Sequence, residues 1–226
     1  MNYIILSKQK ELGESLVESL TVKFPSHAFV LACDNKSLKE ELAKENNISK
    51  VFIPHWSSII PASIYNNVEC VVFHMTDLPF GRGGSPLQNL ISRGISETKV
   101  TALQVNAEID AGDVYLKKEL NLTGSAQIIF ERVFKIIEEM IGEIIQTNPK
   151  PQPQKGEPTY FKRRTPDMSK IEAEDSIELV YDKIRMLDAP DYPLAFIENK
   201  HFRFEFYNAN HESEKELNAN VRIIKK

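Results

Sequence analysis

The sequence predicts an α/β fold: a Rossmann-like, mostly parallel sheet with helices on both faces, followed by a small α+β C-terminal module. Three observations carry this expectation. Apolar runs of strand length recur at residues 3–7, 28–32, 51–54, 70–74 and 100–105. Helix-forming segments stand between several of them. The composition then changes beyond a proline-rich stretch at 149–154. Continuous short apolar runs suit strands covered on both faces, and their alternation with helices suits parallel pairing.

Each element has its own justification. Residues 11–24 place Leu12, Leu16, Leu20 and Val22 at helical spacing. Asp34, Asn35 and Ser37 form a turn and cap that opens a polar helix at 38–45. Pro86 suits the first turn of a helix carrying Leu87, Leu90 and Ile91. Residues 125–146 form a long amphipathic helix with Ile128, Ile129, Val133, Ile136, Ile137, Met140 and Ile144. The polar stretch 149–154 is expected as a linker, dividing a catalytic domain at 1–148 from a linker and small module at 149–226. In that module a helix is expected at 175–186 and strands at 195–197, 202–207 and 221–224.

Bulk properties exclude several functions. The chain has 226 residues, 42% hydrophobic content and a formal net charge of −4, with 28 scattered basic residues. That balance argues against a nucleic-acid or membrane surface. Cys33 and Cys70 stand far apart in apolar contexts and are expected to be reduced. No apolar run approaches the ~18 residues of a membrane span. No basic segment leads a long apolar one at the start, so the expected setting is cytoplasmic. The five histidines show no ligand spacing, so no metal is expected.

The chemistry centres on the stretch HMTDLPFGRGGSP, residues 74–86. His74 closes an apolar strand, and in parallel sheets ligands bind beyond the carboxyl ends of the strands. A histidine in that place is commonly only a satisfied structural residue. Its company argues for more. The segment IDAGD, residues 109–113, puts Asp110 just past the next apolar strand. Neighbouring strands lie about 5 Å apart, so an imidazole and a carboxylate there can couple in proton transfer. The glycines of GRGG do not fit a phosphate-loop pattern. They let the backbone approach a flat ligand instead.

These residues resemble a known family. HMTDLPFGRGGSPLQNLI and VTALQVNAEIDAGDVYLKKELNL are similar to the core of the N10-formyltetrahydrofolate-dependent formyltransferases, whose pattern is HPSLLPxxxG, then LDxGD. His74 matches the family histidine, Thr76 its serine, Leu78-Pro79 its LP, Gly83 its glycine and Asp110 its aspartate. The resemblance covers residues 3–146, and the tail more loosely. It implies N10-formyltetrahydrofolate as formyl donor, a catalytic His74 aided by Asp110, and a pterin pocket lined by Ser57, Ser58, Ile59 and the Asp110 loop. Trp56 beside them is equally a packing residue.

One position departs from the pattern. The family places an asparagine two residues before the histidine, where this chain has Val72. Valine donates no hydrogen bond. Either Asn106 or Thr76 replaces that donor, or the site is weakened by about 3 kcal/mol of transition-state stabilisation.

The tail narrows the branch. TYFKRRTPDM, residues 159–168, resembles the YxRRxPxD segment of nucleotide-sugar N-formyltransferases, and residues 184–196 resemble their IRAxxxPYPGAF stretch. The resemblance thus implies formylation of the amine of a UDP-linked 4-amino-4,6-dideoxy sugar of the pseudaminic-acid type. Arg82, Arg163, Arg164 and Tyr192 are the candidate contacts to that substrate, each with an ordinary structural role as its alternative. A homodimer is compatible with this branch. Two other readings stay open: a folate-binding module with weakened catalysis, and a formyltetrahydrofolate hydrolase.

Overall fold

The computed structural model describes residues 1–44 and 47–226. Glu45, the expected end of the second helix, lies outside the described residues. Tertiary contacts divide the chain into two compact units that interleave along the sequence. The first comprises 1–83, 98–120 and 131–160, and the second 84–97, 121–130 and 161–226. The expected division at 148/149 therefore needs correction. The segment 149–154 is bonded to the first unit rather than free: Val114 and Gln152 exchange backbone hydrogen bonds of 2.7 and 2.8 Å.

The first unit is built on a six-stranded sheet of order β2-β1-β3-β4-β6-β7. Its strands are β1 (Asn2–Ser7), β2 (Ala28–Ala32), β3 (Ile48–His55), β4 (Glu69–His74), β6 (Glu97–Gln104) and β7 (Val114–Asn121). The pairs β1–β2, β1–β3 and β3–β4 are parallel. Ile4, Leu6, Val51, Ile53 and Cys70 supply buried side chains, joined by Leu38, Ile60 and Ile64. Cys70 and Cys33 are free thiols. Burial pushes the Cys70 thiol up to about 12, so it is an inert packing group.

The helices follow the apolar spacing with two exceptions. Helix α1 (Lys10–Lys23) buries Leu16 and Leu20. Val22, expected on the same face, is 78% exposed. Helix α2 (Asn35–Lys44) is capped as expected, with Asp34 Oδ1 accepting the Ser37 N–H at 2.6 Å. A short turn, α3 (Ala62–Tyr65), follows β3. The long helix α5 (Ala126–Thr147) buries Ile129, Val133, Ile137, Met140 and Ile144, while Ile128 is 49% exposed. A groove of about 250 Å³ in the first unit is lined by Leu12, Leu16, Phe134, Glu131, Lys135 and Glu138. None of these is a candidate site residue.

The last expected core strand runs the other way. β6 is antiparallel to β4, with Val71 opposite Gln104 and His74 opposite Thr101. The end of β6 therefore lies beside Val71, not beside His74. Adjacent strand ends do not bring the candidate pair together. The chain between β6 and β7 does so, as described below.

The second unit holds an antiparallel sheet of order β11-β10-β9. After β5 (Arg82–Gly83) the chain enters it through α4 (Pro86–Ile91), and returns after β8 (Tyr160–Phe161). A 3₁₀ turn (Pro166–Ser169) precedes α6 (Ile177–Arg185), whose cap, Ser176 Oγ, accepts the Leu179 N–H at 3.3 Å. The strands are β9 (Ala195–Glu198), β10 (Phe202–Ser213) and β11 (Glu216–Lys225). The hairpin of β10 and β11 extends well past the expected 202–207 and 221–224. Its distal half, NANHES and ELNAN, is rich in polar residues, and the alternation of Leu217, Ala219 and Val221 with asparagines is the signal that the expected bounds left out.

Candidate active site

His74 ends β4 with its ring enclosed, its side chain only 8% exposed. Its Nε2 lies 2.9 Å from the Gly81 carbonyl oxygen. A carbonyl only accepts, so Nε2 carries the hydrogen and donates it. The second ring nitrogen, Nδ1, faces Asp110 Oδ2 at 3.6 Å. The two groups thus stand within reach of one another.

Asp110 reaches His74 because the chain at 105–113 folds back. Asp110 adopts φ +52°, the left-handed region that few side chains tolerate and that aspartate enters more readily than most. Gly112 makes the turn tight: a Cβ there would stand 1.7 Å from the Gln104 carbonyl oxygen. The Gln104 N–H donates to the Asp113 carbonyl at 2.8 Å, which launches β7. Oδ2 of Asp110 also accepts the Gly83 N–H at 2.8 Å. One carboxylate oxygen thus faces the imidazole and anchors the glycine loop.

The loop after His74 is held from several sides. Thr101 Oγ1 donates to the Thr76 carbonyl at 2.7 Å. Asp77 is bonded by Lys117 at 2.5 Å and Lys99 at 3.0 Å. Burial alone would push the Asp77 carboxyl up, but the two lysines hold it below its usual range. Thr159 accepts the Gly81 N–H on Oγ1 at 2.7 Å and the Arg82 N–H on its carbonyl at 2.9 Å. Its own N–H donates to the Pro79 carbonyl at 3.1 Å.

The remaining expected residues divide. Asn106 is exposed, and its Oδ1 accepts the Glu108 N–H at 2.9 Å. Its oxygen thus serves a local turn, and the donor role expected of it would fall to Nδ2. Thr76 is fully buried, its hydroxyl 3.5 Å from the Gly81 carbonyl that already receives His74. Val72 is half-buried on β4 between Ile53 and Leu103.

At the end of β3, Ser57 Oγ accepts the Lys8 ammonium at 2.6 Å, and that ammonium stands 5.4 Å over the Trp56 ring. Ser58 is exposed and Ile59 is 77% exposed. The buried Trp56 Nε1 has no hydrogen-bond partner among the described residues. An exposed aliphatic side chain beside an unspent indole donor fits a flat ring with polar edges.

Arg82 does not point a free guanidinium outward. Its Nε and Nη2 donate to Gln154 Oε1 at 3.2 and 2.8 Å. Arg163, Arg164 and Tyr192 belong to the second unit. Arg163 is exposed. Arg164 is half-buried, with Nη2 donating to the Met168 carbonyl at 2.7 Å. Burial and the nearby Arg93 hold its guanidinium below the usual value. Tyr192 packs on Phe130 with ring centroids 5.4 Å apart, and burial pushes its hydroxyl up to about 12. Sequence reasoning missed Gln154 and Thr159 altogether, because neither stands in a pattern of chemical residues. Among the described residues, no group of three or more His, Cys, Asp or Glu is placed to hold a metal ion. No helix there is long and apolar enough to cross a membrane.

The chain thus combines a parallel-dominant α/β sheet with an imidazole–carboxylate pair beyond a strand end. Comparison with known proteins makes that combination particular. The chain is 44% identical to a solved structure described as methionyl-tRNA formyltransferase from Clostridium thermocellum, covering 100% of both chains with a TM-score of 0.95. It therefore belongs to the formyltransferase family. The family described as methionyl-tRNA formyltransferase, C-terminal domain, matches residues 166–224. Methionyl-tRNA formyltransferase of Francisella philomiragia is 31% identical over 131 residues, 56% of this chain and 41% of that protein. The chain thus matches about two fifths of that curated relative's length. Two more distant structures share the fold. HypX from Aquifex aeolicus in complex with tetrahydrofolic acid is 22% identical with a TM-score of 0.75, covering 92% of this chain and 37% of that one. A sugar N-formyltransferase from Shewanella is 19% identical with a TM-score of 0.65, covering 88% and 93%.

Proposed function

We propose that the chain is a cytoplasmic N-formyltransferase that moves a formyl group from N10-formyltetrahydrofolate to the amine of a nucleotide-linked 4-amino-4,6-dideoxy sugar. The observation that carries the transfer chemistry is the 3.6 Å approach of His74 Nδ1 to Asp110 Oδ2 inside an enclosed loop. Ser57, Ser58, Ile59 and the Trp56 donor would hold the folate, which supplies an activated formyl group when bound. His74 does the proton work. With Nε2–H committed to Gly81, the open lone pair is on Nδ1. That nitrogen accepts the proton shed by the attacking amine. The imidazolium so formed faces the Asp110 carboxylate, which stabilises it. The positive ring also offsets developing negative charge through space, while Val72 offers no hydrogen bond to it.

One observation supports a sugar acceptor. The chain is acidic overall, with a net charge of −4, where a tRNA surface favours a basic one. The full-length 44% match to a protein described as methionyl-tRNA formyltransferase favours a second reading, in which the acceptor is the amine of a charged tRNA.

The test incubates the purified chain with N10-formyltetrahydrofolate and, separately, UDP- and dTDP-linked 4-amino-4,6-dideoxy sugars or methionyl-tRNA. Mass spectrometry reads the acceptor and absorbance reads the released tetrahydrofolate. Formylation of a sugar, requiring both reactants, is expected. Formylation of the tRNA alone overturns the sugar assignment. Donor consumption without any acceptor makes the chain a hydrolase. Binding of the folate without turnover makes it a binding module.

A further inference from the structure

We infer that Gln154 is a positioning residue for Asp110, reaching the site from a segment that the sequence marks only as a linker. The inference rests on the reading of His74 and Asp110 as the proton-handling pair. Gln154 Nε2 donates one hydrogen to the Asp110 carbonyl at 2.8 Å and the other to the Gly112 carbonyl at 2.9 Å. Its Oε1 accepts both Arg82 bonds. The primary amide thereby spends both donors and its acceptor.

The bonds close a ring. Arg82 holds Gln154, Gln154 holds the backbone of Asp110, and Asp110 Oδ2 holds the N–H of Gly83, the neighbour of Arg82. Asp110 is the strained member, at φ +52°. A non-glycine residue in that region persists only where its surroundings over-determine it. Gln154 grips the carbonyls on either side of Ala111 and supplies that determination. Leucine of similar length supplies no hydrogen bond. Glutamate still accepts from Arg82 but presents oxygens, not donors, to two carbonyls. Asparagine is one methylene short. The amide and the reach are both required.

The experiment compares Gln154→Leu, Gln154→Glu and the control Gln152→Ala, whose exposed side chain donates to the Lys150 carbonyl. Gln154→Leu is expected to lower kcat about tenfold with KM for the amine changed by less than about twofold. The Gly83 amide, which depends on Asp110 for its acceptor, should exchange its hydrogen about tenfold faster. Placed on Asp110→Asn, the Gln154→Leu change should add less than about twofold, because it acts through the same carboxylate. Gln154→Glu should fail as Gln154→Leu does, and it decides the matter if the leucine variant does not fold. Wild-type kcat and Gly83 exchange in either variant would overturn the inference. So would a full additional loss on Asp110→Asn, which would place the action of Gln154 elsewhere. If no variant and no wild-type chain transfers formyl, the catalytic reading fails, while Gly83 exchange still decides whether the clamp exists.

Discussion

Replacing Asp110 by asparagine isolates the charge on which the proposed chemistry depends. Asparagine tolerates the left-handed region that Asp110 occupies, and its oxygen can still accept the Gly83 N–H. The loop should therefore keep its shape. What disappears is the anionic partner of a protonated His74. At 3.6 Å, with both side chains largely enclosed, two unit charges attract by roughly 5 kcal/mol at an effective dielectric of about 20. The 14% exposure of the Asp110 side chain discounts this to about 3 kcal/mol. Spread over the step that charges the ring, that is a fall in kcat of about two orders of magnitude. The assay is steady-state formyl transfer to the acceptor found active, with circular dichroism and thermal melting on the same preparation. A variant that melts like the wild type and keeps kcat within about threefold would refute the charge argument. Asp110→Ala is the poorer test, since it removes the Gly83 acceptor and the left-handed tolerance together.

Other outcomes follow from the same geometry. His74→Ala should lower turnover by about 10² or more with the fold intact, read by steady-state kinetics and circular dichroism. Gly112→Ala should displace the chain at 105–113, because its Cβ would overlap the Gln104 carbonyl. A loss of about 3 kcal/mol in denaturant unfolding, with activity lost alongside, is the expected reading. His55 gives a pH dependence of stability. Burial, with the nearby Lys8 charge, lowers its folded value from 6.5 to about 4. As pH falls from about 6.5 toward 4, the unfolded chain takes up the proton first, so stability is lost across that window. The loss is about 2 kcal/mol once the ring's partial exposure is allowed for, and His55→Gln should remove that component from the pH profile of urea unfolding.

Elements whose cause is local are legible in the residues alone. Short apolar runs made β1 to β4, the capping turn at Asp34 opened α2, and the spacing of Ile129, Val133, Ile137, Met140 and Ile144 made α5. The sequence also marks His74 and Asp110 as candidates, because a titratable ring at a strand end and a carboxylate in a glycine turn are visible without coordinates. How they meet depends on the folded sheet and the chain between β6 and β7. No periodicity reveals that β6 runs antiparallel to β4, since the same apolar run fits either direction. Nor does a proline-rich stretch announce that Gln154 crosses 44 residues to Asp110 and 72 to Arg82. Asn106 illustrates the converse: close to Asp110 in the chain, it spends its oxygen on its own turn. Local propensity is written in neighbouring residues. A hydrogen-bond ring between distant segments exists only once the sheet has set their separation and direction.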